Sequence, residues 1–453
     1  MKYYADPFGC AKNNVDLENM MASLNEAGWT SAADSSDASL IIINSCGFIE
    51  SAKQESINAV LGWRKLYPGK KILLAGCLAE RYAKDLAESL PEADGIFGNS
   101  GDLRRIVEAA AHVTGEKPHT KERAPTEPSY DTGDRPLLSL PGLAYVKISE
   151  GCDCACSFCA IPLIRGKMRS RSIEDIITEC TKLLDRGVKE LCLISQDTGA
   201  YGRDLRRSSE NSNEINLPTL LQAIAKLEGD FQVRMLYLHP DHFPMQVLDI
   251  MERDRRFLPY FDIPLQHGSE KILRMMNRSG NSSVYLEFIK TLRSRFPDGA
   301  VRSTFMTGFP GETEDDFQQL LDFQNEAKLD WVGCFAYSRE EDTKSYDMKG
   351  RVAKKTAAAR KQLLEERQLP ITEARMERFV GRTFNVLIEE AFKNEEGAAI
   401  PGDDSLYLGR LPFQAPEVDG SAVITSTKPL TAGMLVPCKV FARTGFDLQV
   451  RAV

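Results

Sequence analysis

Apolar positions in the first 115 residues switch between two periods. SLIIINS (residues 39–45) and KILLAG (residues 71–76) are short branched runs bounded by polar residues, which predicts strands buried on both faces. Helical spacing follows over residues 50–64 and in AERYAKDLAESL. GIFG predicts a short strand before the helix of DLRRIVEAAAHV. This β–α alternation predicts a small α/β domain with a parallel sheet over residues 1–115. Residues 116–135, EKPHTKERAPTEPSYDTGDR, are polar, hold three prolines and lack an apolar period, so they predict a linker.

The alternation resumes over residues 136–373. AYVKIS, VKELCLIS, FQVRMLYL, FLPYFDIPL, VRSTFMTGF and DWVGCFAYS read as strands, with helical patterns between most of them; one, SIEDIITECTKLLDRG, ends at Gly187. Six such units predict an open or partial (β/α) barrel, with chemistry at the carboxyl ends of its strands. A closed eight-stranded barrel is the alternative. The helical stretch from residue 351 should be interrupted at Pro370. Over residues 374–453, five short strands separated by Gly, Pro and charged turns predict a small antiparallel β-barrel.

The 453 residues are 42% hydrophobic and 27% charged, ordinary for globular domains. A formal net charge of −8 argues against a surface made wholly for nucleic acid, and leaves room for a local basic patch. The amino terminus lacks a long apolar run and no stretch reaches the length of a membrane span, so the expected location is cytoplasmic, with no membrane partner.

Eleven cysteines change the picture. In a reducing compartment they point to metal or redox chemistry rather than disulfides. Cys152, Cys156 and Cys159 form C-x3-C-x2-C directly after a predicted strand. Three thiolates at this spacing can wrap one face of an iron–sulfur cluster and leave one iron open; zinc and reactive or structural thiols are the alternatives. Cys10, Cys46 and Cys77 each end a predicted strand, beside Gly9, Gly47 and Gly76. Parallel strands share a carboxyl edge, so these three cysteines should converge and could hold a second cluster; structural thiols or zinc remain open. Cys154 falls outside both sets, and Cys180, Cys192, Cys334 and Cys438 read as core thiols.

The C-x3-C-x2-C stretch resembles the radical S-adenosylmethionine superfamily. FGCAKNNVDLENM, INSCGFIESAKQES, AGCLAERY, ISQDTGAYG, YLHPDHFP, DIPLQHGSEKILRMMNR and GFPGETEDDF extend the resemblance to the methylthiotransferase family over the whole chain. The resemblance implies an amino-terminal three-cysteine domain, a radical S-adenosylmethionine domain and a carboxyl-terminal TRAM domain. It implies two 4Fe–4S clusters and S-adenosyl-L-methionine as cofactors, with Cys152, Cys156 and Cys159 holding the radical-generating cluster and Cys10, Cys46 and Cys77 the auxiliary, sulfur-supplying one. Within the family the chain looks most like the branch that adds a methylthio group to the β-carbon of an aspartate in small-subunit ribosomal protein number twelve, free or within the small ribosomal subunit. An electron donor and a sulfur source are further implied partners. Methylthiolation of tRNA adenosine is the alternative.

The resemblance also implies cofactor contacts from Phe158, Gln196, Gly308 and Gly311; Gln266, at a strand end, is a further candidate contact, and Arg302 either contacts the cofactor or pairs with carboxylates. Asp197 beside Gln196 is either a contact or a turn cap. His267 reads as pocket lining, with a satisfied structural histidine or a metal ligand as the alternatives. His239 and His242, with no partner cysteine nearby in sequence, read as a structured loop. Arg165, Arg169 and Arg171 could pair with anionic groups, hold the cysteine loop or form a solvated charge run.

Overall fold

The computed structural model describes residues 1–116, 134–205, 215–392 and 405–453. Most of the expected linker, residues 117–133, lies outside the described residues.

The amino-terminal domain is a five-stranded, wholly parallel sheet in the order β2-β1-β3-β4-β5: β1 Lys2–Pro7, β2 Thr30–Ser31, β3 Leu40–Ser45, β4 Lys71–Gly76 and β5 Gly95–Phe97. Every residue of β3 is buried, as the unbroken run LIIINS requires of a central parallel strand. The helix expected over AERYAKDLAESL is two, Cys77–Arg81 and Ala83–Ser89, broken at Tyr82.

The central domain contains six parallel barrel strands: β6 Leu143–Lys147, β9 Glu190–Ile194, β10 Gln232–Met235, β11 Tyr260–Asp262, β12 Ala300–Thr307 and β13 Trp331–Ala336. They form two three-stranded groups, β10-β9-β6 and β11-β12-β13, which meet at the parallel bridge between Val233 and Phe257. Among the described residues no ladder joins β13 to β6, so the barrel is open. The amino-terminal domain's helix Ala11–Glu26 packs beside β6. A short antiparallel ladder, β7 Ser149–Glu150 with β8 Arg169–Ser170, ties together the two ends of the cysteine loop.

The helix Lys354–Glu377 runs through Pro370 without interruption, contrary to the sequence expectation. Pro370 and Glu366, whose carbonyl would have received the missing amide, are both exposed, so that carbonyl is open to solvent and the lost bond costs little. Buried Gln368 on the opposite face donates to the Leu329 carbonyl at 2.9 Å and to Thr372 Oγ1 at 3.0 Å, fixing the helix on the domain.

The carboxyl-terminal strands are β14 Thr383–Ala391, β15 Ser405–Arg410, β16 Ala422–Ser426, β17 Leu435–Thr444 and β18 Asp447–Ala452. They close as β14-β15-β16-β18-β17. The barrel is not purely antiparallel, because β16 and β18 run parallel. A closed ring with an odd number of strands cannot alternate direction throughout, so one parallel pair is unavoidable. This barrel meets the first residues of several central strands: Arg410 pairs with Glu190 at 2.9 Å, Tyr260 donates to Asp419 at 2.5 Å and Trp331 Nε1 to the Phe413 carbonyl at 2.8 Å. It therefore caps the end of the open barrel opposite the cysteines.

Candidate active site

Cys10, Cys46 and Cys77 follow β1, β3 and β4 at the shared carboxyl edge of the first sheet. Two glycines permit the close approach. Gly76 adopts φ 97°, a conformation that favours glycine. At Gly47 a Cβ would lie 2.6 Å from the Cys77 carbonyl oxygen. The two three-cysteine sets face each other: Cys10, Cys46, Cys77, Cys152, Cys156 and Cys159 all line one cavity of about 390 Å³. Its size is that of a small-molecule cofactor site.

A buried charge network forms part of the cavity's wall. Arg165, from the helix Ile161–Arg165 that follows the cysteine loop, pairs with Asp16 at 2.8 Å and Glu150 at 3.0 Å. Its Nη2 also lies 3.1 Å from Cys77 Sγ. Lys147 pairs with Glu150 at 2.7 Å and with Asp16. Burial alone would lower the Arg165 pKa, but Asp16, Glu150 and the nearby thiols hold it well above the ordinary guanidinium value. Burial would raise the Glu150 pKa, but Arg165 and Lys147 hold it far below the usual carboxylate range. The arginines after the cysteine loop are not a solvated run: Arg165 and Arg171 are buried, and Arg171 pairs with Asp175 at 2.6 Å and with Glu179.

The thiols differ. Burial pushes Cys46 up to about 11 and Cys159 up to about 12, and it raises Cys77 and Cys156 as well. Cys10 is exposed at the surface, and the charges of Lys12 and Arg165 outweigh its desolvation by the surrounding protein and lower its pKa. Metal ligation would supply the missing stabilisation of the Cys46, Cys77, Cys156 and Cys159 thiolates, because it drives protons off. The donor set therefore fits two sulfur-held metal groups: three thiols on each side, in a cavity whose walls carry cations that offset cluster charge.

Phe158, Gln196 and Gln266 line the same cavity. Gln196 Nε2 donates to Glu150 at 2.7 Å. Gln266 holds φ 72°, rare for a residue with a side chain, while its backbone bridges Thr304 and Met306 at 2.8 Å each. Arg302, Gly308 and Gly311 are not among the lining residues. Arg302 lies inside β12, two residues short of the lining Thr304, and its guanidinium meets Asp262 at 3.0 Å and Asp419 at 3.5 Å. Gly308 and Gly311 shape the turn after β12; a Cβ at Gly308 would lie 2.3 Å from that of Ala357. His267 is also absent from the lining. It is fully buried, and its Nδ1 accepts from the Ser269 amide at 2.9 Å, while the left-handed backbone at Gln266 leaves Gln266 on the cavity side.

Lys12, Asn13, Phe48, Tyr237, Arg278 and Phe335 also line the cavity without having been singled out from sequence. Lys12 is buried, with Nζ 3.1 Å from the centroid of the Tyr237 ring. Its position two residues after Cys10, at the start of a helix, was the only available signal.

Three family models cover most of the chain: Uncharacterized protein family UPF0004 over residues 2–98, Radical SAM superfamily over 146–323 and TRAM domain over 380–453. The ribosomal protein uS12 methylthiotransferase RimO of Treponema denticola is 46% identical over 473 residues, covering 99% of this chain and 100% of that protein. The chain belongs to the RimO methylthiotransferase family. The RimO of Pseudothermotoga lettingae is 41% identical over 99% of both chains. Among solved structures, the radical S-adenosylmethionine methyltransferase TsrM from Kitasatospora setae aligns with a TM-score of 0.54 at 12% identity, covering 76% of each chain, which is a likeness of fold alone. As a member of the RimO family the chain is an enzyme dependent on S-adenosylmethionine and iron–sulfur clusters, and two three-cysteine sets accord with two 4Fe–4S groups. No helix among the described residues is long and apolar enough to cross a membrane.

Proposed function

We propose that this enzyme adds a methylthio group to the β-carbon of an aspartate in small-subunit ribosomal protein number twelve. The observation that carries the reading is the meeting of both three-cysteine sets on one cavity, where a radical-generating group and a sulfur-holding group share a single space. The relatives' names supply the substrate.

In this reading Cys152, Cys156 and Cys159 hold one cluster and Cys10, Cys46 and Cys77 the other. When bound, the first cluster with S-adenosylmethionine supplies a radical able to break an unactivated C–H bond, and the second supplies sulfur. The chain's own residues position and exclude. Phe158, Gln196 and Gln266 border the S-adenosylmethionine space, and Gln196 is aimed by its hydrogen bond to Glu150. Arg165 keeps the two sides in register by touching Cys77 and Glu150 together. Phe335, half-exposed on the lining, borders the entrance for a peptide segment. An electron donor and a sulfur source complete the cycle.

The test is anaerobic incubation of the cluster-loaded enzyme with reductant, S-adenosylmethionine and either the ribosomal protein or tRNA. Mass spectrometry should find one methylthio group on an aspartate of the protein. Modification of tRNA alone would overturn the assignment of substrate.

A further inference from the structure

Cys154 belongs to neither cysteine set. It sits between Cys152 and Cys156, and its side chain, beside that of Cys152, also reaches Asp197 and His242. Its Sγ lies 3.6 Å from Asp197 Oδ2 and 3.8 Å from His242 Nδ1, and those two atoms are 2.5 Å apart. The three residues come from three elements: the cysteine loop, the turn after β9, and the short turn Pro240–His242 that follows β10. The sequence offered His242 no cysteine partner; the fold supplies one from 88 residues away.

We propose that Cys154, Asp197 and His242 bind a divalent zinc-class ion, separate from both clusters. Without an ion, hydrogen bonds hold the three donors together, because the Nδ1–H of His242 and the thiol of Cys154 can both donate to Asp197 Oδ2. The two contacts to sulfur are long. A single cation at the ordinary bond lengths of about 2.0–2.3 Å spans the two distances to sulfur as they stand, and reaches all three donors once Asp197 Oδ2 and His242 Nδ1 part from their 2.5 Å hydrogen bond. The surroundings leave these atoms free for it. Asp197 is buried, and its other oxygen, Oδ1, accepts from the His239 amide at 3.3 Å, so Oδ2 is the one aimed at the junction. The His239 ring stacks on that of His242, centroids 4.9 Å apart at 27°, and fixes its orientation.

The donor set selects the metal. A thiolate with an imidazole disfavours magnesium and calcium, whereas sulfur, nitrogen and one carboxylate oxygen suit zinc. Three protein ligands leave a fourth position, the arrangement of sites that also hold water or a further ligand. Cys154 and Asp197 both line the central cavity, so that position opens on the space between the two cysteine sets. This inference stands independently of the substrate proposed above.

The experiment uses the full chain with both clusters loaded, exposed anaerobically to zinc and then to a weak chelator. We expect about one zinc to remain per chain, with a zinc-edge absorption spectrum showing one sulfur and the rest nitrogen or oxygen. Cys154→Ala and His242→Ala should each abolish retention while iron content stays at the wild-type level; two variants on different elements guard against a local folding defect in either. No retained zinc in the wild type would overturn the site. So would a shell made only of sulfur, which would mean displaced iron, or retention by both variants.

Discussion

Arg165 Nη2 stands 3.1 Å from Cys77 Sγ, joining the helix after the radical-type cysteine motif to the far domain's cysteine set. The same guanidinium pairs with Asp16 and Glu150, and all three charged side chains are buried. Removing it strands two carboxylates with Lys147 as their remaining close cation. Arg165→Met should therefore cost about 3–5 kcal/mol, the usual loss when one partner of a buried pair is deleted. Urea unfolding should show a lower midpoint with unchanged slope, and iron held by the amino-terminal set should fall. Stability and iron content equal to wild type would contradict this role.

Gly47 makes a more local prediction. Its Cβ position lies 2.6 Å from the Cys77 carbonyl oxygen and 2.8 Å from the Leu78 amide nitrogen, both backbone atoms. Gly47→Ala must push Cys46 away from Cys77. The variant should lose the amino-terminal cluster, dropping from about eight irons to about four, while still cleaving S-adenosylmethionine. Iron analysis and 5′-deoxyadenosine formation, measured together, check it.

The sequence made the convergence of Cys10, Cys46 and Cys77 legible because a parallel sheet has one carboxyl edge, which is a rule of topology. It could not show that this edge faces Cys152, Cys156 and Cys159, because that depends on long-range ion pairs such as Lys147 with Asp16. Of the two roles open to Arg302, the structure shows the carboxylate pairing. The run VRSTFMTGF does form a strand, Ala300–Thr307, but Arg302 lies near its start and pairs with Asp262 and Asp419, while Thr304 does the lining. Cys154 and His242 met only in three dimensions. Pro370 failed to interrupt its helix because the side affected faces water, a matter of exposure that spacing does not report.

Asp419 couples the carboxyl-terminal barrel to the central one and should make stability depend on pH. Burial pushes its pKa up to about 6, against the opposing charge of Arg302 and the Tyr260 hydrogen bond. A folded pKa above the unfolded value means that the native state binds more protons between about 4 and 6. The contribution is fully present below that window and is lost as pH rises through about 6, amounting to about 3 kcal/mol at most. In Asp419→Asn this component should vanish. The difference in unfolding free energy between variant and wild type should grow in the variant's favour from pH 4 to pH 6, then level off. A difference independent of pH would contradict the sign.

The two cysteine sets should separate in activity. Cys10→Ala, Cys46→Ala and Cys77→Ala combined should abolish methylthio transfer and retain 5′-deoxyadenosine formation. Cys152→Ala, Cys156→Ala and Cys159→Ala combined should abolish both. Methylthio transfer by the first triple variant would remove the sulfur-holding role from the amino-terminal set.

The most direct measurement is iron and acid-labile sulfide per chain after anaerobic reconstitution, with Mössbauer spectra, in wild type and both triple variants. Two independently held four-iron clusters predict about eight irons in the wild type and about four in each variant. About four irons in the wild type, unchanged when Cys10, Cys46 and Cys77 are removed, would contradict the two-cluster site on which the proposed function rests.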